Sequence, residues 1–331
     1  MIITQTPLRV SFFGGGTDLA GFYEKHGGAV LSSSIDKYIY IIVKPRYDDL
    51  IVLNYSEREI VEKVDDIKHN IFREALRFTG VERGVEITSI GDIPSGGSGL
   101  GSSSSFTVGL LNALYAYLGN AKGPAELAEA ACTIEINILG EPIGKQDQYA
   151  AAFGGFKRYL FQRDGSVEVQ PLQLGHEAFL ALQRSCRMFY TNRARKASSV
   201  LSDQKSRIGN TIESLKLLAR MAYDSEQDFL RGDVAALGRQ LNEAWLEKKK
   251  LSSKVSDDGI DAIYDAGMAA GAYGGKLLGA GGGGFFFFLC PLENLVPLRE
   301  AMGPLRELPI TFSRYGTKVM YSFEEKVYPL G

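Results

Sequence analysis

The chain has 331 residues, 45% of them hydrophobic, and a formal net charge of −2. That size and apolar share allow one large or two ordinary globular domains with a sizeable core. The near-neutral balance gives no ground for a nucleic-acid or anionic-membrane partner. The longest apolar run, GFFFFLC at Gly284–Cys290, is far too short to span a bilayer. The N-terminus MIITQTPLRV lacks the charged and apolar regions of a signal peptide. Three scattered cysteines (Cys132, Cys186, Cys290) argue against a disulfide framework or structural zinc. Three histidines (His26, His69, His176) offer a metal little and read as surface or hydrogen-bonded groups. A reduced, cytoplasmic protein is expected.

In chain order, PLRVSFF (7–13) and AVLSSSIDKYIYIIVKPR (29–46) read as strands, and NIFREALRFTG (70–80) as a helix ending at Gly80. GVEITSI (84–90) alternates like a strand and leads into IPSGGSGLGSSSSF (93–106). Phe106, Leu110, Leu114 and Leu118 then repeat at helical spacing, so a helix starts within the serines. GPAELAEAACTIEINILG (123–140) reads as a second helix with Pro124 in its first turn. KRYLFQRDGSVEVQPLQL (157–174) reads as a hairpin turning at Asp164-Gly165. From about Ala197 to Lys250 the pattern is helical; a helix over 257–271, a helix over 292–305 and a strand over 318–323 follow. A domain boundary is expected near residue 170, giving units 1–170 and 171–331.

The Gly/Ser stretch lies between a strand and an amphipathic helix, not between two folded units, which favours an anion-binding loop over a linker. No lysine occurs between Gly91 and Phe106, so it is not a Walker motif. GAGGGG at Gly279–Gly284 matches a dinucleotide fingerprint formally, but a helix is expected before it and FFFFLC follows, the reverse of the required order.

IPSGGSGLGSSSSF resembles the second signature motif of the GHMP kinases, the superfamily of galactokinase, homoserine kinase and mevalonate kinase. PLRVSFFGGGTDL (7–19) resembles the first motif and KLLGAGGGGFFFFL (276–289) the third, in the same order and spanning nearly the whole chain. RVSFFGGGTD, EPIGKQDQYAAAFGG (141–155) and the third motif closely resemble the subgroup that phosphorylates O1 of D-glycero-D-manno-heptose 7-phosphate. L-fucose 1-kinases carry related motifs.

The resemblance implies an α+β, two-domain GHMP kinase fold, with a ribosomal-S5-like N-terminal half and a ferredoxin-like C-terminal half. ATP and Mg²⁺ would lie between them, with a sugar phosphate as acceptor. No nucleic-acid or membrane partner is implied, and a homodimer is left open. Asp147 would be the catalytic aspartate, or alternatively a helix cap. Arg9 would be its partner, which makes Asp147 better at orienting O1 than at early proton abstraction. The ATP phosphate loop would be Pro94, Gly96, Gly97, Ser98, Gly99, Leu100, Gly101, Ser102, Ser103 and Ser104. Ser103, or Ser102 or Ser104 if the register slips by one, and Glu135, twelve positions before Asp147, would hold Mg²⁺. Gly15, Gly16, Thr17 and Asp18 would meet the sugar, Asp18 through two hydroxyls or as a cap of the helix that follows. Galactokinases have Glu and His where Gly15 and Gly16 stand, which disfavours galactose. Gln146, Gly281 and Gly282 join the acceptor site. Its phosphate would be held by Arg193, Arg195 or Lys196, with Lys145 as the other option. The second reading is another acceptor such as L-fucose; the third is a catalytically silent sugar and nucleotide sensor.

Overall fold

The computed structural model describes residues 1–93, 97–193 and 197–322. Its first half contains β1 (Ile2–Phe13), α1 (Ala20–His26), β2 (Gly28–Pro45), β3 (Ile51–Asn54), β4 (Arg58–Val61), α2 (Asn70–Thr79) and β5 (Val85–Gly91). Then come α3 (Ser102–Tyr117), α4 (Pro124–Cys132), a π-helical turn (Thr133–Ile138), α5 (Gln146–Phe153), β6 (Phe156–Phe161) and β7 (Val167–Pro171). The second half contains α6 (His176–Ser185), β8 (Cys186–Tyr190), α7 (Ala197–Arg207), α8 (Ile212–Asp224), α9 (Glu226–Arg231) and α10 (Val234–Lys250). It closes with α11 (Asp258–Ala269), β9 (Gly274–Leu277), β10 (Phe285–Leu289), α12 (Leu295–Met302) and β11 (Lys318–Ser322).

β2 is the spine of the larger sheet. Residues 28–35 are buried on both faces, and that half pairs with β1 and β6. Ile39, Ile41 and Val43 then alternate with less buried residues, and this half pairs with β1 and β5. Alternation marks a strand with one face on the core, whereas an unbroken apolar run marks one covered on both sides. The sheet runs β11-β1-β2-β5-β3-β4, with β6 and β7 branching from β2. All pairs are antiparallel except β3 with β5.

The smaller sheet runs β8-β10-β9, and residue 307 forms an isolated bridge to Phe189 beyond β8. Alternation explains the Phe285–Phe288 tract. Phe285 and Phe287 pack into the main core, while Phe286 and Phe288 enter a second cluster with Trp245, Tyr264 and Leu298. The single tryptophan is a core residue.

The sequence reading differs at four places. Residues 123–140 are not one α-helix: the α-helix gives way to a π-helical turn at Thr133. A strand, β9, stands between α11 and the GAGGGG stretch, so that stretch has strands on both sides. Residues 292–305 form a 3₁₀ turn and a shorter α-helix that stops at Met302, where Gly303 takes positive φ. And β11, far beyond residue 170, pairs with β1 in the first sheet, so the sheets do not divide cleanly at that position. Among the described residues no helix is long and apolar enough to cross a membrane.

Candidate active site

The ladder between β1 and β2 shifts register between Pro7 and Arg9. Proline has no N–H to give a neighbouring strand. The Arg9 N–H is released from the ladder and donates to Leu100 O of the Gly/Ser loop (3.0 Å). The Arg9 side chain continues the same link. Nη1 donates to Gly99 O (2.6 Å), and Nε and Nη2 donate to Asp147 Oδ1 and Oδ2 (2.7 and 2.8 Å). This two-pronged guanidinium–carboxylate geometry fixes orientation as well as charge. The Arg9 side chain is 5% exposed and that of Asp147 29%, so the carboxylate is the member that meets solvent. Asp147 does not cap its helix. Lys145 occupies the cap position without a side-chain bond, and Asp147 stands in the first turn of α5, where the helix dipole favours an anion.

The Gly/Ser loop delivers the N-terminus of α3 to the same place. Gly97, Gly99 and Gly101 all take positive φ, and Gly101 is the α3 cap residue. Leu100 is fully buried and anchors the loop, while Ser102, Ser103 and Ser104 form the first turn of α3. Pro94 and Gly96 lie outside the described residues. Ser103 Oγ donates to Glu135 Oε1 (3.2 Å), and Gln148 Nε2 donates to Glu135 Oε2 (2.7 Å). Glu135 sits on the π-helical turn and is 1% exposed. Burial pushes its carboxyl up to about 7, with the Asp147 charge adding to the rise and the hydrogen bonds it accepts opposing it.

Gly15, Gly16, Asp18 and Gln146 line the same cleft, whose volume is about 1140 Å³. Asp18 does not cap α1, because Leu19 holds that position. Its carboxylate instead accepts from Gly16 N and Gln146 N (3.2 Å each), joining the first glycine motif to the start of α5. Burial raises the Asp18 carboxyl above its ordinary value, and the Asp147 charge adds to this. Thr17 is fully buried; its hydroxyl donates to Gly14 O (2.8 Å) and accepts from Ala29 N (3.1 Å), so it shapes the turn from within.

Other expected site residues are turned elsewhere. The Lys145 Nζ donates to Gly165 O at the tip of the β6–β7 hairpin (2.6 Å). Arg193 is paired with Asp257 at an exposed position (2.6 and 2.8 Å). Arg195 and Lys196 lie outside the described residues. Gly282 N donates to Val255 O (2.9 Å), and a side chain at Gly281 would strike Val255, so these glycines pack on the residues after α10. The third motif meets the cleft at Lys276, Gly279 and Ala280 instead.

The family model of the GHMP kinase N-terminal domain matches residues 64–155, and that of the GHMP kinase C-terminal domain matches residues 225–304. A D-glycero-alpha-D-manno-heptose 7-phosphate kinase from Campylobacter jejuni is 34% identical, over 96% of this chain and 98% of its own. The chain is a GHMP kinase. An L-fucokinase/L-fucose-1-P guanylyltransferase from Bacteroides fragilis is 28% identical over 84% of this chain, which spans 33% of that larger protein. The crystal structure of a D-glycero-D-manno-heptose 1-phosphate kinase from Bacteroides thetaiotaomicron superposes with a TM-score of 0.82 at 26% identity, covering 98% of this chain and all of the other. The two-domain GHMP kinase fold and a sugar-kinase activity are therefore established for this chain.

Two features of this GHMP kinase escaped the sequence reading. One is an aromatic cluster in the cleft wall, Tyr55, His69 and Phe106. His69 packs edge-on to Tyr55 and its ring nitrogen accepts from Phe72 N at the start of α2 (3.4 Å). The other is a pair of buried lysines, Lys248 and Lys276, which also line the cleft. The KKK end of α10 looks like a solvated charge run. Yet Leu237, Leu241, Ala244 and Trp245 are buried, and Lys248 follows them at helical spacing on the same face. That spacing was the available signal.

Proposed function

We propose that this GHMP kinase transfers the γ-phosphoryl group of ATP to the anomeric O1 of D-glycero-D-manno-heptose 7-phosphate. The observation that carries the reading is the Arg9–Asp147 pair. One guanidinium holds the aspartate and, through Gly99 O, the loop that leads into α3. Acceptor activation and donor binding are thereby fixed to a single rigid group. The choice of acceptor rests on the 34% identity over nearly the full length of both chains.

Phosphoryl transfer depends mainly on positioning and on neutralising charge. Asp147, exposed to the cleft and braced by Arg9, accepts the hydrogen bond of the acceptor hydroxyl, aims its oxygen and takes its proton as the bond to phosphorus forms. The N-terminus of α3 and the hydroxyls of Ser102 and Ser103 face the donor phosphates. Gly15, Gly16, Asp18 and Gln146 hold the sugar. Ser103 and Glu135 are the residues that would hold Mg²⁺. They fit: Glu135 is a buried carboxylate whose hydrogen-bond partners are neutral, so a nearby cation would restore its charged form. The metal would supply neutralisation of phosphate charge. ATP, Mg²⁺ and a cytoplasmic setting belong to this reading.

ATP consumption with heptose 7-phosphate, free heptose and L-fucose tests it. Heptose 7-phosphate is expected to exceed the other two in kcat/KM by about a thousandfold, because a site built for a charged group rejects analogues that lack it. In Asp147→Asn, kcat is expected to fall at least about a hundredfold with KM nearly unchanged. L-fucose turned over as well as heptose 7-phosphate would reassign the acceptor. Turnover of no sugar would leave a sensor.

A further inference from the structure

Two cations in the cleft are unused by the mechanism above. Lys276, on β9, is 4% exposed and donates to Phe12 O (2.8 Å). Lys248, on α10, is 6% exposed and donates to Leu277 O (3.0 Å) and Gly279 O (2.5 Å). All three partners are neutral backbone carbonyls. The third cation here, Arg9, is committed to Asp147. A buried ammonium is unfavourable unless an anion compensates it. Burial lowers Lys248 to about 7 and Lys276 well below the ordinary lysine value, and neighbouring cations add to both effects.

The unpartnered polar groups of the cleft can all donate a hydrogen bond. An ammonium carries three N–H donors, so Lys276 keeps two and Lys248 keeps one. Ser11 Oγ and Gln146 Nε2 line the same cleft, belong to residues 5% and 6% exposed, and have no hydrogen-bond partner among the described residues. Ser11 stands beside Gly15 of the first motif, its Oγ 3.9 Å from where a side chain at Gly15 would begin. A neutral sugar ring presents donors and acceptors in equal measure. The carboxylates of the same cleft are already engaged, Asp147 by Arg9 and Asp18 by Gly16 N and Gln146 N, so the two cations, the amide donor and the hydroxyl that remain suit a group rich in acceptors and negative charge.

We propose that Lys248 and Lys276 form a two-lysine subsite for a phosphoryl dianion and set the preference of the cleft for it. The subsite rests on the kinase reading given above. The dianion has two sources in that reaction: the acceptor's own phosphate, remote from the reacting hydroxyl, or the phosphoryl group in transit from ATP.

Lys248→Met and Lys276→Met keep length and remove charge, and they separate the sources. Each is assayed with heptose 7-phosphate and with free heptose, after wild-type turnover has been established. Failure of wild-type turnover would count against the functional reading rather than the subsite. If the acceptor's phosphate is held, KM for heptose 7-phosphate rises at least about thirtyfold, while kcat and the weak use of free heptose stay as they were. If the group in transit is held, kcat falls at least about thirtyfold for both acceptors alike. Folded variants that keep both parameters within about threefold of wild type would overturn the subsite and leave the lysines as ties between β9, β1 and α10. A second measurement uses the wild-type protein and needs no turnover. Pyridoxal 5′-phosphate, trapped with borohydride and mapped by mass spectrometry, is expected to modify Lys248 or Lys276 and to be blocked by inorganic phosphate. Labelling confined to other lysines would refute the proposal.

Discussion

Among the described residues Glu135 has no cationic hydrogen-bond partner, and Ser103 and Gln148 hold it in a place with almost no solvent. Its pKa rises from 4.5 to about 7. The folded chain therefore retains a proton that the unfolded chain releases above about 4.5. Stability falls as pH rises from about 4.5 through about 7, because there the native state binds the extra proton. The loss is on the order of 3 kcal/mol, from a shift worth about 1.4 kcal/mol per unit. Glu135→Gln removes this titration while keeping the shape and the hydrogen bond from Ser103. The variant is expected to melt higher than wild type at pH 8 and close to it at pH 5. Equal melting differences at both pH values would show that Glu135 does not titrate in this range. Activity should still be lost in the variant, because a neutral amide is a poor ligand for Mg²⁺.

At the level of elements, the phosphate loop and the third glycine motif are pressed backbone to backbone. A side chain at Gly99 would come within 2.5 Å of Leu278 O, and one at Gly284 within 2.5 Å of Ser98 O. Both glycines also take positive φ, +76° and +100°. These residues are glycine to let β10 and its preceding turn support the loop, so filling either one moves the loop as well as narrowing the cleft. Gly284→Ala is expected to cost about 1–3 kcal/mol in chemical denaturation and to raise KM for ATP. Gly209→Ala, at a position with nothing within 4 Å, should change neither. An unaltered KM for ATP in folded Gly284→Ala would mean that the loop does not depend on the third motif for its shape.

At the scale of the molecule, the two sheets share a core. Phe12 of β1 meets Phe229 of α9 and Phe287 of β10 edge-on, at 5.0 and 5.5 Å between ring centres, and its own ring is fully buried. One cluster of buried side chains runs from Ile2 to Phe312, and the backbone returns from the second half to pair β11 with β1. We expect the two halves to unfold together, as one calorimetric transition whose measured and van't Hoff enthalpies agree. Phe12→Ala should lower stability by about 3–5 kcal/mol without splitting that transition. Two resolved transitions would instead make the halves independent units divided near residue 170.

Much of this was legible in the sequence because local rules governed it. The alternation of β5, the positive-φ glycine after α2, the serine-rich start of α3 and the hairpin of β6 and β7 all follow from short-range patterns. The site residues Arg9, Asp147, Ser103 and Glu135 came instead from the resemblance to the GHMP kinase motifs, and the fold brings them together as two bonded pairs. Three things belonged to the tertiary structure alone. Glu135 lies between Ile134 and Ile136, a pattern that does not fix which way a helical carboxylate faces, and a π-helical turn carries it inward. Lys145 and Arg193 were reasonable phosphate ligands by charge, but Gly165 and Asp257 were nearer partners in space. Lys276 carried no sign of burial in the sequence and Lys248 only its helical spacing after Trp245, since burial is set by what packs over a residue and not by its own chemistry. Sequence determined the elements and the kinase motifs because hydrogen-bonding periodicity and backbone conformation are local; the direction in which each charged side chain points was decided by packing between segments distant in the chain.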